Sequence, residues 1–413
     1  MRQLKLYQYT PCKLDIICTE LSCLIPNNYV LKPFDKRTVD FLDSLSKMIL
    51  SDISINRRPE IAALGFWLRR AQLRKMMLEQ EYLLESTQFK VAPVGKVLHI
   101  CPANVDTMFI YSMVVALLMG NRNVLRISKR MDSPHVLSLF DKLNQLLVTE
   151  EFALFSDYIN IISYDHNDDI SNFLSTSANA RLIWGGDSTI KTFQAFAKGP
   201  RTKDIVFADR ISMMIINSEF VLKASSKEMQ EFIKNFYNDA YTFDQMGCSS
   251  PQTIFFIGSD TESQNAREKI INSLDDYLKV EYDADVSSLA SLKLNRMVDD
   301  VLNDNLVGHL GNNLFKLIEL PSTSDPTLLH GCGGGYFYFY DIKHINELFN
   351  LKVPKVQTIT YFGISPEDKL SLIDISYGEG IDRVVPVGKA LNFYYIWDGY
   401  NLFGELSRKV FVD

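Results

Sequence analysis

The chain has few cysteines, no excess of positive charge and no long apolar run. Each of these absences argues against a class of protein function. Its 413 residues include 43 lysines and arginines against 50 aspartates and glutamates, a formal net charge of −7. This balance disfavours a nucleic-acid-binding surface as the main function. The longest apolar stretch, residues 108–119, is too short to cross a bilayer and predicts a buried helix. No transmembrane segment is therefore expected.

The cysteines and histidines lack the spacing of a metal site. No CxxC pair and no HExxH pair occurs, so we expect no bound metal. The N-terminal residues lack the apolar core and cleavage site of a signal peptide. We therefore expect a cytoplasmic protein whose thiols are reduced. The six cysteines are Cys12, Cys18, Cys23, Cys101, Cys248 and Cys332.

Strand-like and helix-like segments alternate through the first half of the chain. This alternation predicts an α/β fold with a doubly wound, mostly parallel sheet, and a second α/β unit begins near residue 210. Ligands bind such sheets at the carboxyl ends of the strands, where residues 102–104, 128–129 and 185–188 fall. The predicted strands are 94–102, 123–128, 159–164, 180–184 and 204–207, and the predicted helices are 106–119, 133–148, 168–175 and 188–197.

Cys248 follows Gly247 in a short run of small and polar residues, 244–252. An aromatic-rich, helix-like segment precedes this run and an apolar run follows it, so we expect a turn between two regular elements. A nucleophile on such a turn can reach a bound electrophile. A structural cysteine is also compatible with the residues alone, because single cysteines are more often core residues than catalytic ones. The glycine cluster 331–335 has no Walker lysine and predicts a structural loop before a strand.

Several segments resemble a known fold and, more narrowly, a known family. Residues 99–104, 120–128, 184–187 and 247–248 occur in the order expected of aldehyde dehydrogenases. The segments DQMGCSSPQ (244–252) and DRVVPVGKALNF (382–393), with WDG (397–399), resemble the long-chain acyl-CoA reductases of the LuxC type. The resemblance extends from about residue 60 to residue 413.

This resemblance implies an acyl-thioester reductase that acts through a covalent intermediate. Cys248 matches the nucleophile, which would attack a thioester carbonyl and hold the acyl group. Asn104 matches the side chain that, with the backbone N–H of Cys248, stabilises the oxyanion. The residues alone leave Asn104 equally compatible with capping a helix.

The resemblance also implies a nicotinamide cofactor. Gly185, Gly186, Asp187 and Ser188 match the turn near the pyrophosphate, where glycines permit close approach and a helix N-terminus favours anions. Arg126 and Ser128 match the segment against the adenosine ribose. An arginine suits a 2′-phosphate, which favours NADPH, with NADH possible. A solvated arginine at a strand end is the alternative for Arg126.

One departure from aldehyde dehydrogenases is informative. The ELGG glutamate that activates water in the hydrolytic enzymes is absent, and Phe207 falls near its position, with Asp209 available only in a shifted register. A site without this base should spare a thioester from water. This favours the reduction of acyl-CoA, or the reverse reaction, over the oxidation of aldehydes to free acids. A cofactor-independent cysteine acyltransferase or thioesterase, an aldehyde-oxidising dehydrogenase and a non-catalytic scaffold are the alternatives.

The resemblance further implies how the chain is divided and what it meets. We expect an N-terminal helical segment (1–90) that packs on the cofactor domain, a dinucleotide-binding domain (91–209) and a catalytic domain with Cys248 (210–382). A C-terminal segment (383–413) would return to the cofactor domain or form an oligomer interface, with residues 405–412 as an exchanged, edge or terminal strand. The acyl donor would be acyl-CoA or an acyl-protein, an acyl-protein synthetase is an expected partner, and a homo-oligomer is expected.

Overall fold

The chain folds into two compact units in the computed structural model. The first contains Met1–Ala208 and Phe393–Asp413, and the second contains Asp209–Asn392. The C-terminal segment therefore joins the first unit at residue 393, later than the expected start at 383. The first 90 residues include strands as well as helices, so their description as a helical segment was incomplete. The structure describes residues 4–11, 13–18, 31–102, 105–283, 285–322, 324–350, 355–377 and 380–413.

The elements of the first unit come mainly from its first 208 residues. They are β1 (Leu4–Thr10), β2 (Lys13–Cys18), α1 (Lys36–Ser51), α2 (Ile53–Asn56), α3 (Pro59–Trp67), α4 (Arg70–Glu79), α5 (Glu81–Leu84), β3 (Phe89–Pro93), β4 (Lys96–Ile100), α6 (Met108–Leu118), β5 (Arg122–Arg126), α7 (Pro134–Leu147), β6 (Ile159–Ser163), α8 (Asp168–Ser177), β7 (Ala180–Trp184), α9 (Asp187–Ala195) and β8 (Lys203–Phe207).

The second unit and the C-terminal segment follow. The second unit contains β9 (Ile211–Asn217), α10 (Ser218–Lys223), α11 (Ser226–Tyr241), β10 (Pro251–Ile257), α12 (Asp260–Glu281), α13 (Val286–Leu302), β11 (Gly308–Gly311), β12 (Lys316–Glu319), β13 (Tyr336–Ile342), β14 (Val356–Phe362), α14 (Pro366–Ile375) and β15 (Arg383–Pro386). The C-terminal segment contains β16 (Ile396–Trp397), β17 (Tyr400–Asn401), α15 (Leu402–Glu405) and β18 (Ser407–Phe411).

The first unit is built on a seven-stranded sheet of order β2-β1-β6-β5-β4-β7-β8. Strands β4 to β8 are parallel, and β1 is antiparallel to β6. The strand order reverses between β4 and β7, which is where doubly wound sheets bind ligands. Every residue of β7 is buried, as expected of a strand covered on both faces. The nine elements predicted between residues 94 and 207 are confirmed to within two residues at each end.

The buried helix predicted from the apolar run is α6. All its residues are buried, so it is covered by its neighbours all around. Among the described residues, no helix is both long and apolar enough to span a membrane. Strand β18 pairs with β3 of the same chain in a two-stranded antiparallel sheet. The end segment is thus a paired terminal strand.

The second unit has its own seven-stranded sheet, of order β11-β12-β13-β10-β9-β14-β15. All its strands are parallel except β11, which runs antiparallel to β12 at the edge. The ladders on both sides of β9 are irregular near its amino end. Pairing shifts between Pro251 and Thr253 in β10 and between Val356 and Ile359 in β14. Such bulges re-aim side chains and often lie beside active sites.

Candidate active site

Cys248 lies in the turn that connects α11 to β10, as the sequence predicted. The helix is anchored at its start by a capping box between Ser225 and Glu228. After the helix, Asp244 and Gln245 adopt the left-handed backbone conformation, with φ of 49° and 64°. Non-glycine residues adopt this conformation at a cost, so the surrounding contacts must hold it.

The side-chain amide of Gln245 supplies the main part of that support. It is 1% exposed. Its Nε2 donates to the carbonyl oxygens of Pro251 (2.9 Å) and Tyr336 (3.0 Å). Its Oε1 accepts from the backbone N–H groups of Gly335 (3.0 Å) and Tyr336 (2.9 Å). One amide therefore satisfies four buried backbone groups and fixes the turn to β10 and to the start of β13.

The glycine cluster 331–335 packs directly against this turn. The N–H of Gly334 donates to the carbonyl oxygen of Asp244 (2.8 Å). Gly333 has φ of 79°, and a Cβ there would lie 2.6 Å from the same oxygen. The cluster is a loop before β13, as predicted, but no local pattern of residues indicated what it packs against. Only glycine allows this approach of two backbones.

Two residues from neighbouring strands reach Cys248 itself. Ser212 of β9 donates from Oγ to the Cys248 carbonyl oxygen (2.7 Å) and accepts from the N–H of Thr358 (3.2 Å). Gln357 of β14 donates from Nε2 to the Cys248 sulfur (3.4 Å), and its Oε1 accepts from the Ser249 hydroxyl (2.8 Å). Sequence reasoning missed both residues, because nothing in the local pattern distinguishes them.

Buried polar atoms without partners surround the same turn. Among the described residues, Ser250 Oγ, Gln252 Oε1, Thr253 Oγ1 and Thr358 Oγ1 are buried and accept or donate no hydrogen bond. Such groups are costly in a core and are therefore most often found where a ligand or ordered water completes the structure.

The segment 386–392 of the LuxC-like motif is tied to α11 beside the cysteine. The buried Asp239 carboxylate accepts from the N–H groups of Gly388 (2.6 Å) and Ala390 (3.0 Å). Burial raises the pKa of Asp239 to about 7, against the opposing effect of these hydrogen bonds. A Cβ on Gly247 would lie 3.4 Å from Leu391. Asp239 thus holds this segment against the residue that precedes Cys248.

In the first unit, a network of buried, hydrogen-bonded side chains lies next to the predicted cofactor turn. His99 contacts Ser112 Oγ through Nδ1 (2.7 Å) and Asn123 Oδ1 through Nε2 (2.9 Å), and Trp184 Nε1 donates to the Ser112 oxygen (3.1 Å). Burial lowers the pKa of His99 to about 4. The neutral imidazole of β4 therefore contacts α6 and β5 directly, and Ser112 links it to the end of β7, immediately before Gly185.

The backbone of the turn after β7 is suited to binding a phosphate, but one of its side chains is not. Gly186 is the N-cap of α9, and a Cβ on it would meet nothing within 4 Å. An open helix N-terminus attracts an anion. Ser188 is exposed. The exposed Asp187 adds negative charge in the first turn and opposes a phosphate there.

Arg126 lies at the carboxyl end of β5, and only β4 separates that strand from β7. The two strand ends are therefore about 10 Å apart across the sheet. Arg126 is half-buried, its guanidinium lies 5.6 Å from the Tyr164 ring, and its buried Nε has no hydrogen-bond partner among the described residues. An unsatisfied buried N–H fits a ligand oxygen. Ser128 accepts from the N–H of Arg130 (3.2 Å) and so belongs to the turn after β5.

The other residues named in the sequence analysis lie at the following positions. Phe207 is buried and stacks on Trp184, with ring centroids 3.6 Å apart. Asp209 is exposed, 3.7 Å from His330. Asn104 lies outside the described residues. Cys101, Cys248 and Cys332 form no disulfide within the described part of the chain. No group of three potential metal ligands occurs in the described part of the chain.

The two sheets, with the Gly-Gly turn after β7 in the first and the cysteine turn before β10 in the second, belong to the aldehyde dehydrogenase fold. Aldehyde dehydrogenase 21 of Physcomitrella patens matches with a TM-score of 0.61 and 11% identity, covering 91% of this chain and 84% of that one. A 1-pyrroline-5-carboxylate dehydrogenase of Thermus thermophilus matches with a TM-score of 0.62 and 11% identity, covering 92% and 81%. At this identity, the likeness shows the fold alone.

The family is narrower than the fold. The model of the acyl-CoA reductase (LuxC) family matches residues 64–409, and the chain belongs to that family. This confirms the resemblance. A long-chain acyl-protein thioester reductase of Photobacterium phosphoreum is 24% identical over 325 residues, 78% of this chain and 62% of the relative. A second such reductase, of Photobacterium leiognathi, is 24% identical over 176 residues, 42% of this chain and 34% of the relative. The chain thus spans less than two thirds of either relative.

Proposed function

We propose that the protein reduces an acyl thioester to an aldehyde through an acyl-cysteine at Cys248. The observation that carries the proposal is the braced turn, in which a partly exposed thiol lies 3.4 Å from an amide donor in a chain of the LuxC family. A rigid scaffold around a nucleophile reduces the cost of reaching the reactive geometry.

Each residue of the proposed active site has its own role in the reaction. The Cys248 thiolate attacks the thioester carbonyl, the bond to the carrier sulfur breaks, and the carrier leaves as its thiolate. Asn104 and the Cys248 N–H are proposed to stabilise the oxyanion. Phe207, stacked in the core, offers no base to activate water. The acyl-cysteine should therefore survive until it is reduced.

The first unit is proposed to bind the nicotinamide cofactor, which supplies the hydride. Gly185 and Gly186 would approach the pyrophosphate, and Ser188 would lie in the same helix start. Arg126 would bind the ribose 2′-phosphate of NADPH, since its unsatisfied Nε can donate to a phosphate oxygen. The charge of Asp187 makes it the weakest member of the proposed set. NADH remains the alternative cofactor.

The acyl donor is proposed to be acyl-CoA or an acyl-protein, as the names of the two relatives suggest for the latter. An acyl-protein synthetase is the proposed partner that would load it. A reducing, cytoplasmic setting is part of the proposal, because the nucleophile must be a free thiol. A homo-oligomer is proposed as well. The exposed Phe411, the last residue of β18, and Val412 after it support this, because exposed apolar groups favour association.

The test combines turnover with trapping of the intermediate. The protein is incubated with radiolabelled acyl-CoAs of different chain lengths and NADPH, and both NADPH oxidation and aldehyde are measured. Without NADPH, the label should remain on the protein and be released by neutral hydroxylamine. Cys248→Ala should lose the label and Cys332→Ala should keep it.

Each other outcome has a meaning. Label and acyl transfer without oxidation of NADPH, or of NADH in a parallel incubation, would replace the proposal with a cofactor-independent acyltransferase. Aldehyde formation that persists in Cys248→Ala would remove the covalent mechanism. The absence of both label and NADPH oxidation with every acyl-CoA and with an acylated partner protein would overturn the proposed function.

A further inference from the structure

Gln357 is the side chain that contacts the sulfur of Cys248 from a distant part of the chain. It is the second residue of β14, which is held between β9 and β15. It is 1% exposed, and the ladder to β9 is irregular where it lies. The backbone carbonyl oxygen of Gln357 accepts a hydrogen bond from the backbone N–H of Asp382 (2.8 Å). The amide is therefore fixed on an internal strand at a bulge that turns it toward the cysteine.

Ser249 contacts the oxygen end of this amide. Its hydroxyl, buried beside Cys248, donates to Gln357 Oε1 (2.8 Å), and Nε2 faces the sulfur at 3.4 Å. A thiolate can only accept hydrogen bonds, and a donated N–H stabilises the charged form over the neutral one. The contact is therefore worth more when the thiol is ionised.

We propose that Gln357 is a catalytic residue that donates a hydrogen bond from Nε2 to the Cys248 thiolate, and that Ser249 is a positioning residue that orients its amide. The catalytic part rests on the proposed function, in which Cys248 accepts the acyl group. The stabilisation of the thiolate itself does not depend on any substrate.

The N–H donor of Gln357 stabilises the thiolate both before the acyl group is bound and when the aldehyde is released. Before attack it keeps the sulfur ionised. After the sulfur forms its bond to the acyl carbon, the charge on sulfur is lost and the hydrogen bond weakens. Hydride from the proposed nicotinamide cofactor would add to the acyl carbon and give the hemithioacetal alkoxide. When the carbon–sulfur bond of this alkoxide breaks, the electron pair returns to sulfur, the aldehyde forms, and Nε2 again faces a thiolate.

The experiment measures ionisation of Cys248 without substrate. The rate of alkylation by iodoacetamide is followed from pH 5 to pH 10 in the full chain, and mass spectrometry quantifies the Cys248 peptide separately from those of the other cysteines. Gln357→Met keeps the length of the side chain without the donor. Gln357→Glu keeps the shape and replaces the donor with a carboxylate. Gln264→Met, on the exposed face of α12, is the matched control.

The pH midpoint of alkylation should rise by about one unit in Gln357→Met, because a hydrogen bond to a charged group is lost. It should rise further in Gln357→Glu, since a negative charge then faces the thiolate. Ser249→Ala should give a smaller rise, and Gln264→Met none. A role limited to packing would not produce this order, since both Gln357 variants fill the same space.

Unchanged midpoints in both Gln357 variants, or a lower midpoint in Gln357→Glu, would overturn the proposal. If Gln357→Met does not fold by urea titration, Gln357→Asn replaces it, because the shorter amide keeps its polarity but does not reach the sulfur. A shifted midpoint in a protein that reduces no acyl thioester would support the thiolate contact and refute the proposed function. The two failures are therefore distinguishable.

Discussion

The candidate site residues of the two units lie at opposite ends of similar sheets. In the first unit, the predicted cofactor residues follow the carboxyl ends of β5 and β7, where doubly wound sheets bind ligands. In the second unit, Cys248 precedes β10, and Ser212 and Gln357 are the second residues of β9 and β14, so the cysteine turn lies at the amino ends. Similar topology thus does not determine which end carries the site.

The two ends are also held differently. The turn after β7 is open, with Gly186, Asp187 and Ser188 exposed, and offers backbone groups. The cysteine turn is braced by the side-chain amides of Gln245 and Gln357. An exposed backbone turn can accommodate a large ligand that arrives and leaves, whereas a nucleophile must be held still.

The largest effect is expected at Gln245. Gln245→Ala leaves four buried backbone groups unsatisfied, and we expect a loss of about 4 kcal/mol in the free energy of unfolding. Gln252→Ala removes one hydrogen bond from the same turn, from Nε2 to the Gln245 carbonyl oxygen, and should cost about 1 kcal/mol. Urea unfolding of both variants measures the difference. Equal losses would show that the amide of Gln245 is not the main support.

Acid should destabilise the first unit through His99. Its pKa is lowered by burial to about 4 in the folded chain, below the ordinary value of 6.5. The stability it contributes is present above pH 6.5 and is lost as pH falls toward 4, by about 3 kcal/mol. His99→Gln should remove this pH dependence. Hydrogen exchange of β4 and β7 between pH 4 and pH 7 is the measurement, and the same pH dependence in the variant would contradict the assignment.

The second unit should respond in the opposite direction through Asp239. Its folded pKa, raised by burial to about 7 from 3.8, means that its contribution is present below pH 3.8 and is lost as pH rises toward 7. We expect the stability advantage of the native protein over Asp239→Asn to shrink by about 3 kcal/mol between pH 4.5 and pH 7.5. Urea titrations at pH 4.5 and pH 7.5 test this. If the stability advantage of the native protein over the variant grows with pH, the predicted direction of the effect is wrong.

The smallest expected effect concerns the cofactor. Arg126→Leu should raise KM for NADPH about tenfold, the loss of one charged contact, and leave KM for NADH nearly unchanged. Arg130→Leu, at an exposed position beyond the same strand, is the matched control. Steady-state kinetics with both cofactors distinguishes them. An equal change for NADPH and NADH would place Arg126 away from the 2′-phosphate.

Local patterns in the sequence predicted the elements and the location of the thiol. Alternating buried strands and amphipathic helices, and the polar run at 244–252, depend on neighbours within a few residues, so they are visible in the chain. The ends of β7 agree with the prediction, and Cys248 lies on the predicted turn. The sequence also indicated the family, through segments that the family match covers.

Only the tertiary structure determined what surrounds the thiol. Gln357 is 109 residues from Cys248 in the chain, and Gln245 reaches Tyr336 across 91 residues. A glutamine in a strand or turn carries no local signal for such a partner, because its contact depends on how distant strands pair. The sequence determined that a cysteine stands on a turn between a helix and a strand. The pairing of β9, β10 and β14 determined that an amide donor faces its sulfur.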